Sequence, residues 1–173
     1  LHAGTALAAT VYYRGEIWTL LQHLPAWRPA RHADRPDVTF LGVATLVSGV
    51  VGIAAYATLE TLFPVLAGGA FVALIGVLLL ATGVLQRVAA ARLGDREDPT
   101  LPDAVLVGVL QGLAILPGVS RSGTTVSALL LRGYDAEASF RLSFLLSIPA
   151  ATGAGLLVLR DGVPTVSATA ALA

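Results

Sequence analysis

The residues Leu116-Pro117-Gly118-Val119-Ser120-Arg121-Ser122-Gly123-Thr124-Thr125 hold the densest chemistry in the chain. One guanidinium stands between two serines and is followed by two threonines. Pro117 has no amide hydrogen and disfavours helix at the residue before it, while Gly118 and Gly123 tolerate a sharp turn. A helix starting after this break, capped by Ser122, Thr124 or Thr125, turns its free amide hydrogens and positive dipole end toward the break. A fixed arginine, a helix N-terminus and a set of hydroxyls together make an anion site. Arginine suits phosphate because its planar fork donates in pairs. The plainer alternative is an arginine kept for folding and paired with a carboxylate. An ionisable residue deep in an apolar segment, however, defaults to function. On this chemistry alone a phosphatase and an anion transporter are equally served, since transporters also use broken helices.

The elements that must position this loop are apolar. Hydrophobic residues make up 55% of the 173 and charged residues only 13%, about half the roughly 25% of an ordinary soluble domain. Eleven basic residues, all Arg, balance eleven acidic ones, and there is no Cys and no Met. A disulfide-stapled module and a Cys-ligated zinc site are excluded. So is a disordered tail. Zero net charge argues against a nucleic-acid partner.

Charges are absent from Val38 to Leu59, Thr61 to Gln86, Ala104 to Ser120 and Leu142 to Leu159. A bilayer core of ~30 Å needs roughly 20 apolar helical residues. The pattern predicts an all-α, polytopic membrane protein in one integral membrane domain. Its spans are 1–13 in part, 38–59, 65–86, 138–159 and 163–173 in part. The run 102–131 is the exception. As one helix it would be about 45 Å long, and as two halves each about 20 Å. It therefore reads as a re-entrant pair, 102–116 and 122–131, meeting at mid-membrane beside a cavity, where irregular backbone is tolerated. Glu60 and Pro64 mark a tight turn between the first two full spans. Loops 14–37 and 87–101 carry seven arginines and are expected on the cytoplasmic side. The chain has no Met and starts and stops in apolar runs, so both ends are expected to lie inside a longer reading frame.

The run L-P-G-V-S-R-S-G-T-T resembles the P-G-x-S-R-S-G-x-T signature of the undecaprenyl-diphosphatase family, the bacitracin-resistance proteins. Leu1-His2-Ala3-Gly4-Thr5 with Tyr12-Tyr13-Arg14 is similar to the family's L-H-x-G-T segment and following Y-F-R. Residues 137–149, from Glu137 to Pro149, are similar to its E-x-x-x-R-F-S-F-L-L-x-x-P helix, and Gln111-Gly112 also agrees. The resemblance implies two inverted repeats, each with a re-entrant pair. It also implies hydrolysis of a C55 polyprenyl diphosphate to the monophosphate and phosphate, which recycles the lipid carrier for cell-wall glycans. A polyprenyl-phosphate transporter or flippase is the alternative. Arg121, Ser120 and Ser122 become the catalytic candidates. Arg121, Ser122, Gly123, Thr124 and Thr125 become the phosphate-binding set, with Gln111, Arg141 and His2 behind them. The family's other signature, E-G-x-T-E-F-L-P-x-S-S-x-G-H, is absent, so residues 1–173 by themselves are expected to be inactive. The resemblance further implies a divalent cation, Mg²⁺ or Ca²⁺, with its ligands in the part that is absent. It implies a lipid substrate in a cell membrane, a site opening to the outer face, and a homodimer as a candidate assembly.

Other polar residues have plainer readings. His2 suits packing, and His23 and His32 suit solvated loop positions. Glu137 and Arg141, four apart on one helix, can pair with each other, or Arg141 can face the phosphate cavity. Trp18 and Trp27 suit the interfacial belt. Asp135 reads as an N-cap. Gln111 serves equally as a cavity contact or as a link between helices.

Overall fold

The structure is a computed structural model that describes residues 2–23, 36–62, 68–92 and 94–160. The expectations placed on Trp27, His32, Pro64 and 163–173, and on the side chains of His2, His23 and Glu60, lie outside what is described. Among the described residues seven helices follow in order: α1 His2–Tyr12, α2 Arg14–His23, α3 Pro36–Leu62, α4 Gly69–Ala90, α5 Leu101–Leu113, α6 Arg121–Leu131 and α7 Ala136–Arg160. Among the described residues there is no strand, only an isolated bridge between Arg96 and Tyr134.

The two long charge-free runs form α3 and α4. Their apolar windows have mean hydropathy 2.1 and 2.2, yet only 28% and 6% of the residues in them are buried by the rest of the chain. A soluble core helix would be covered. Here Leu46, Val50 and Ile53 of α3 and Val72, Leu80 and Val84 of α4 stand exposed. Faces this apolar need a lipid solvent. The protein is a helical membrane protein.

Several helices carry their own start signal. Pro36 and Asp37 open α3, where a missing amide hydrogen costs nothing and an acidic group faces the positive dipole end. Thr100 precedes α5, with Pro102 and Asp103 in the first turn. Asp135 accepts from the Ala138 amide at 2.6 Å and caps α7. The segment 14–23, read above as loop, is helical. Backbone bonds from Tyr13 N to Ala9 O and from Ile17 N to Tyr13 O carry the helix past the short break at Tyr13. No proline intervenes before Pro25, and Glu16 in the first turn suits the N-terminus.

Residues 102–131 form a helical hairpin. The Arg96 amide donates to Gly133 O at 3.1 Å and the Asp135 amide to Arg96 O at 3.1 Å, so the chain returns to the place it left. Between these ends the 13 residues of α5 and the 11 of α6 reach only about 20 Å and 16 Å. Depth is set by α3. Gly108 packs on Ala44 and Val47, and Gly112 on Ser48 and Val51. Gly112 therefore lies beside the middle of a 27-residue helix. At the starting end Arg141 of α7 bonds Asp37 of α3 at 2.9 Å. Thus α3, α5 and α7 begin at one end of the bundle, where α6 also finishes.

The core lies between these helices. Phe40, Ala44, Ala104, Val107, Leu129, Leu142 and Leu146 are buried together. Its tightest seam is α3 on α5. A Cβ on Gly112 would stand 2.7 Å from Val51 Cβ and 2.9 Å from Ser48 O. Gly112→Val is expected to force the helices apart and cost about 1–3 kcal/mol, the usual range for overpacking. Thermal unfolding in bilayer discs reads this loss. Gly76→Ala, where a Cβ meets nothing within 4 Å, is expected to leave the transition unmoved.

Candidate functional site

At the tip of the hairpin, α5 does not stop abruptly. The amides of Ala114, Ile115 and Leu116 donate to Gln111, Gly112 and Leu113 carbonyls at 3.2, 3.4 and 3.0 Å, winding down the last turn. Gly118 then takes φ 96°, in the region open to glycine. It also lies against the backbone of α4, since a Cβ there would meet Ile75 O at 2.7 Å. From this turn the chain runs through Val119 and Ser120 into α6.

The cap of α6 is Ser120 and not Ser122, Thr124 or Thr125. Ser120 Oγ accepts from the Gly123 amide at 3.3 Å, and Ser120 O accepts from the Thr124 amide at 2.8 Å. Ser120 has extended backbone and sits one residue before the helix, the position from which a serine reaches the third amide. Among the described residues the amides of Arg121 and Ser122 are left as the free donors of the first turn.

The sequence-derived set divides into two groups. Arg121 is half-buried and Ser122 exposed. Among the described residues the Arg121 guanidinium has no hydrogen bond and no ion pair. Thr124 and Thr125 are buried, and their hydroxyls are engaged. Thr124 Oγ1 donates to Ser120 O at 2.7 Å, and Thr125 Oγ1 to Arg121 O at 2.9 Å. Gly123 has a different task from binding through its own side: the Gln86 side-chain amide fills the space a Cβ would need.

Gln111 is buried between α5 and α3. Its Nε2 donates to Ser48 Oγ at 3.3 Å, while its Oε1 is buried without a partner. It links two helices. Arg141 does not pair with Glu137. It bonds Asp37 at 2.9 Å and lies 3.6 Å from Glu16. Ser143, two residues on, faces α6, and residues two apart on a helix point to nearly opposite sides. Arg141 is therefore turned away from α6 and the loop that precedes it.

The profile of the family described as "Bacitracin resistance protein BacA" matches residues 1–172. The chain belongs to this family. Among relatives of this BacA chain, a protein named "Undecaprenyl-diphosphatase" from Haloarcula marismortui is 59% identical over 169 residues, covering 96% of the chain and 63% of the relative. One of the same name from Methanococcoides burtonii is 40% identical over 153 residues, covering 87% and 57%. Another, from Acidothermus cellulolyticus, is 40% identical over 177 residues, covering 95% and 60%. The BacA chain thus spans about three-fifths of the length of these relatives.

Gln86 was not singled out from the BacA sequence, although it closes the longest charge-free run. A side-chain amide on an exposed, lipid-side helix was the available signal. The other missed group is at the base of the hairpin. Asp103, fully buried, accepts from Thr100 Oγ1 at 2.6 Å, Tyr134 Oη at 2.6 Å, Arg132 Nε at 2.5 Å and Arg96 at 3.1 Å. It lies at the loop end of α5, outside the spanning helices. Burial pushes its carboxyl up, but the bonds from Thr100, Tyr134 and Arg132 outweigh this and hold it at about 2. Burial, and then the bond to Asp103, push the Tyr134 phenol up to about 12.

No three His, Cys, Asp or Glu side chains come together among the described residues. By themselves the described residues do not assemble a divalent-cation site.

Proposed function

We propose that this chain supplies the phosphate-gripping half of a polyprenyl-diphosphate phosphatase. The observation that carries the reading is Arg121. It is a half-buried guanidinium at the first position of α6, at the tip of the hairpin, with no counter-charge among the described residues. A buried charge is costly unless an anion meets it. The Arg121 and Ser122 amides and the Ser122 hydroxyl add donors on the same turn. Phosphoryl transfer asks mainly for positioning and charge neutralisation, which such a constellation provides. In this reading Arg121 and Ser122 touch the diphosphate, Ser120 shapes the turn, and Thr124 and Thr125 hold the helix that presents them. The relatives' printed name points to an undecaprenyl chain on that diphosphate, whose tail would lie among the exposed apolar helix faces.

The test is phosphate release from farnesyl diphosphate by the polypeptide as its gene encodes it, in proteoliposomes. Release supports the phosphatase. Uptake of a polyprenyl phosphate into the vesicles without release would instead support the transporter.

The same reading puts the segments 14–37 and 87–101 on the cytoplasmic side of a cell membrane, with the site reached from the outer face. It is supported by the arginines of those segments and by the shared end of α3, α5 and α7. These 173 residues contain no Cys, so an Arg92→Cys variant adds one label site to them. It is expected to react with an impermeant maleimide only from the cytoplasmic side. A homodimer belongs to the same proposal, its uncovered α4 face being the surface to cross-link.

A further inference from the structure

The α7 sequence places Ser139, Ser143 and Ser147 four residues apart, on one face. All three are buried. Two of them use their hydroxyls within α7: Ser139 Oγ donates to Asp135 O at 2.7 Å, and Ser147 Oγ to Phe144 O at 2.6 Å. Ser143 differs. Its hydroxyl lies 2.6 Å from Thr125 Oγ1 of α6, across the helix interface. The Thr125 proton goes to Arg121 O at 2.9 Å. A hydroxyl has one proton, so Ser143 is the donor to Thr125. The bonds then run in one direction, from Ser143 to Thr125 to the carbonyl of Arg121.

We propose that Ser143 is a positioning residue for Arg121, a deduction that rests on the phosphatase reading above. It ties the first turn of the short helix α6 to the long helix α7. The turn it fixes is the one that carries the unpaired guanidinium and the two free amides. Inside a bilayer the link is shielded from competing water, and each bond of a chain polarises the next. Without it, Thr125 keeps its bond to Arg121 O, but α6 loses its polar tie to α7. The first turn can then rotate and carry Arg121 away from the phosphate. Small misplacements of this kind lower turnover far more than affinity.

The experiment uses the gene-encoded polypeptide in proteoliposomes with farnesyl diphosphate. Ser143→Ala is expected to lower kcat about tenfold with KM nearly unchanged, the scale of one buried hydrogen bond acting on placement. Ser143→Thr, which keeps the hydroxyl, is expected to restore turnover. On a Thr125→Val background Ser143→Ala is expected to add no further loss, because Ser143 acts through Thr125. Full turnover in Ser143→Ala, or an additive loss on that background, would overturn the proposal. Hydrogen exchange at the amides of residues 121–125 gives a second reading that needs no activity. Ser143→Ala is expected to speed it, and unchanged exchange would also overturn the proposal. Absence of hydrolysis by the unmutated protein would sink the phosphatase reading, leaving the exchange result to decide the tie by itself.

Discussion

Replacing Arg121 with alanine is expected to lower phosphate release from farnesyl diphosphate by ~10²-fold or more, the scale of removing one preorganised donor from a developing charge. The same change is expected to leave thermal stability unchanged or raised. The two expectations have one cause. Arg121 is half-buried and, among the described residues, makes no hydrogen bond or ion pair. A guanidinium in that state costs free energy in the folded protein until an anion meets it. A structural arginine behaves oppositely: its loss strands a carboxylate and lowers stability. Activity and melting temperature measured on one preparation therefore separate the roles, and a stability loss with activity retained would remove Arg121 from the site. Arg121→Lys keeps the charge but not the planar fork, so it is expected to fall between the two.

Much of this was legible because lipid simplifies the code. In water a helix shows its inner face by periodicity; in a bilayer the absence of charge over some 20 residues suffices. The charge-free runs therefore located α3 and α4, and Pro117 with Gly118 located the break in the hairpin. The helix at 14–23 was obscured because four arginines and three prolines made 14–37 read as one loop, although the prolines all follow His23. Contacts between distant residues were the least legible. Asp103 and Arg132 are 29 positions apart, and Arg96 was read only for its charge in the orientation rule. The roles of the loop hydroxyls were hidden for another reason. Ser120, Ser122, Thr124 and Thr125 are chemically alike as letters, and only helix phase decides which hydroxyl caps, which turns inward and which stays free.

The base of the hairpin supplies the other large effect. Asp103→Ala is expected to destabilise the protein by about 2 kcal/mol, the scale of losing hydrogen bonds to a charged acceptor, since the Arg96 and Arg132 side chains are partly exposed and water can take over their bonds. The side chain is fully buried and receives four donors. Its loss leaves the Tyr134 hydroxyl and two guanidiniums without their shared acceptor. Arg96 also lies over the Tyr134 ring at 4.6 Å, so the cluster loosens as a unit. The pH dependence follows with a definite sign. The carboxyl is held at about 2, against an ordinary 3.8. A folded-state value below the unfolded one gives stability that is fully present above the ordinary value and lost as pH falls through the folded one. The unmutated protein is thus expected to lose melting temperature between about pH 4 and pH 2 more steeply than Asp103→Ala. Parallel curves would show that Asp103 is not the titrating group. Because the cluster joins both ends of the α5–α6 hairpin, its loss frees the base of α6. Hydrolysis is then expected to fall in Asp103→Ala as well, although Asp103 sits at the far end of the hairpin from Arg121 and touches no substrate.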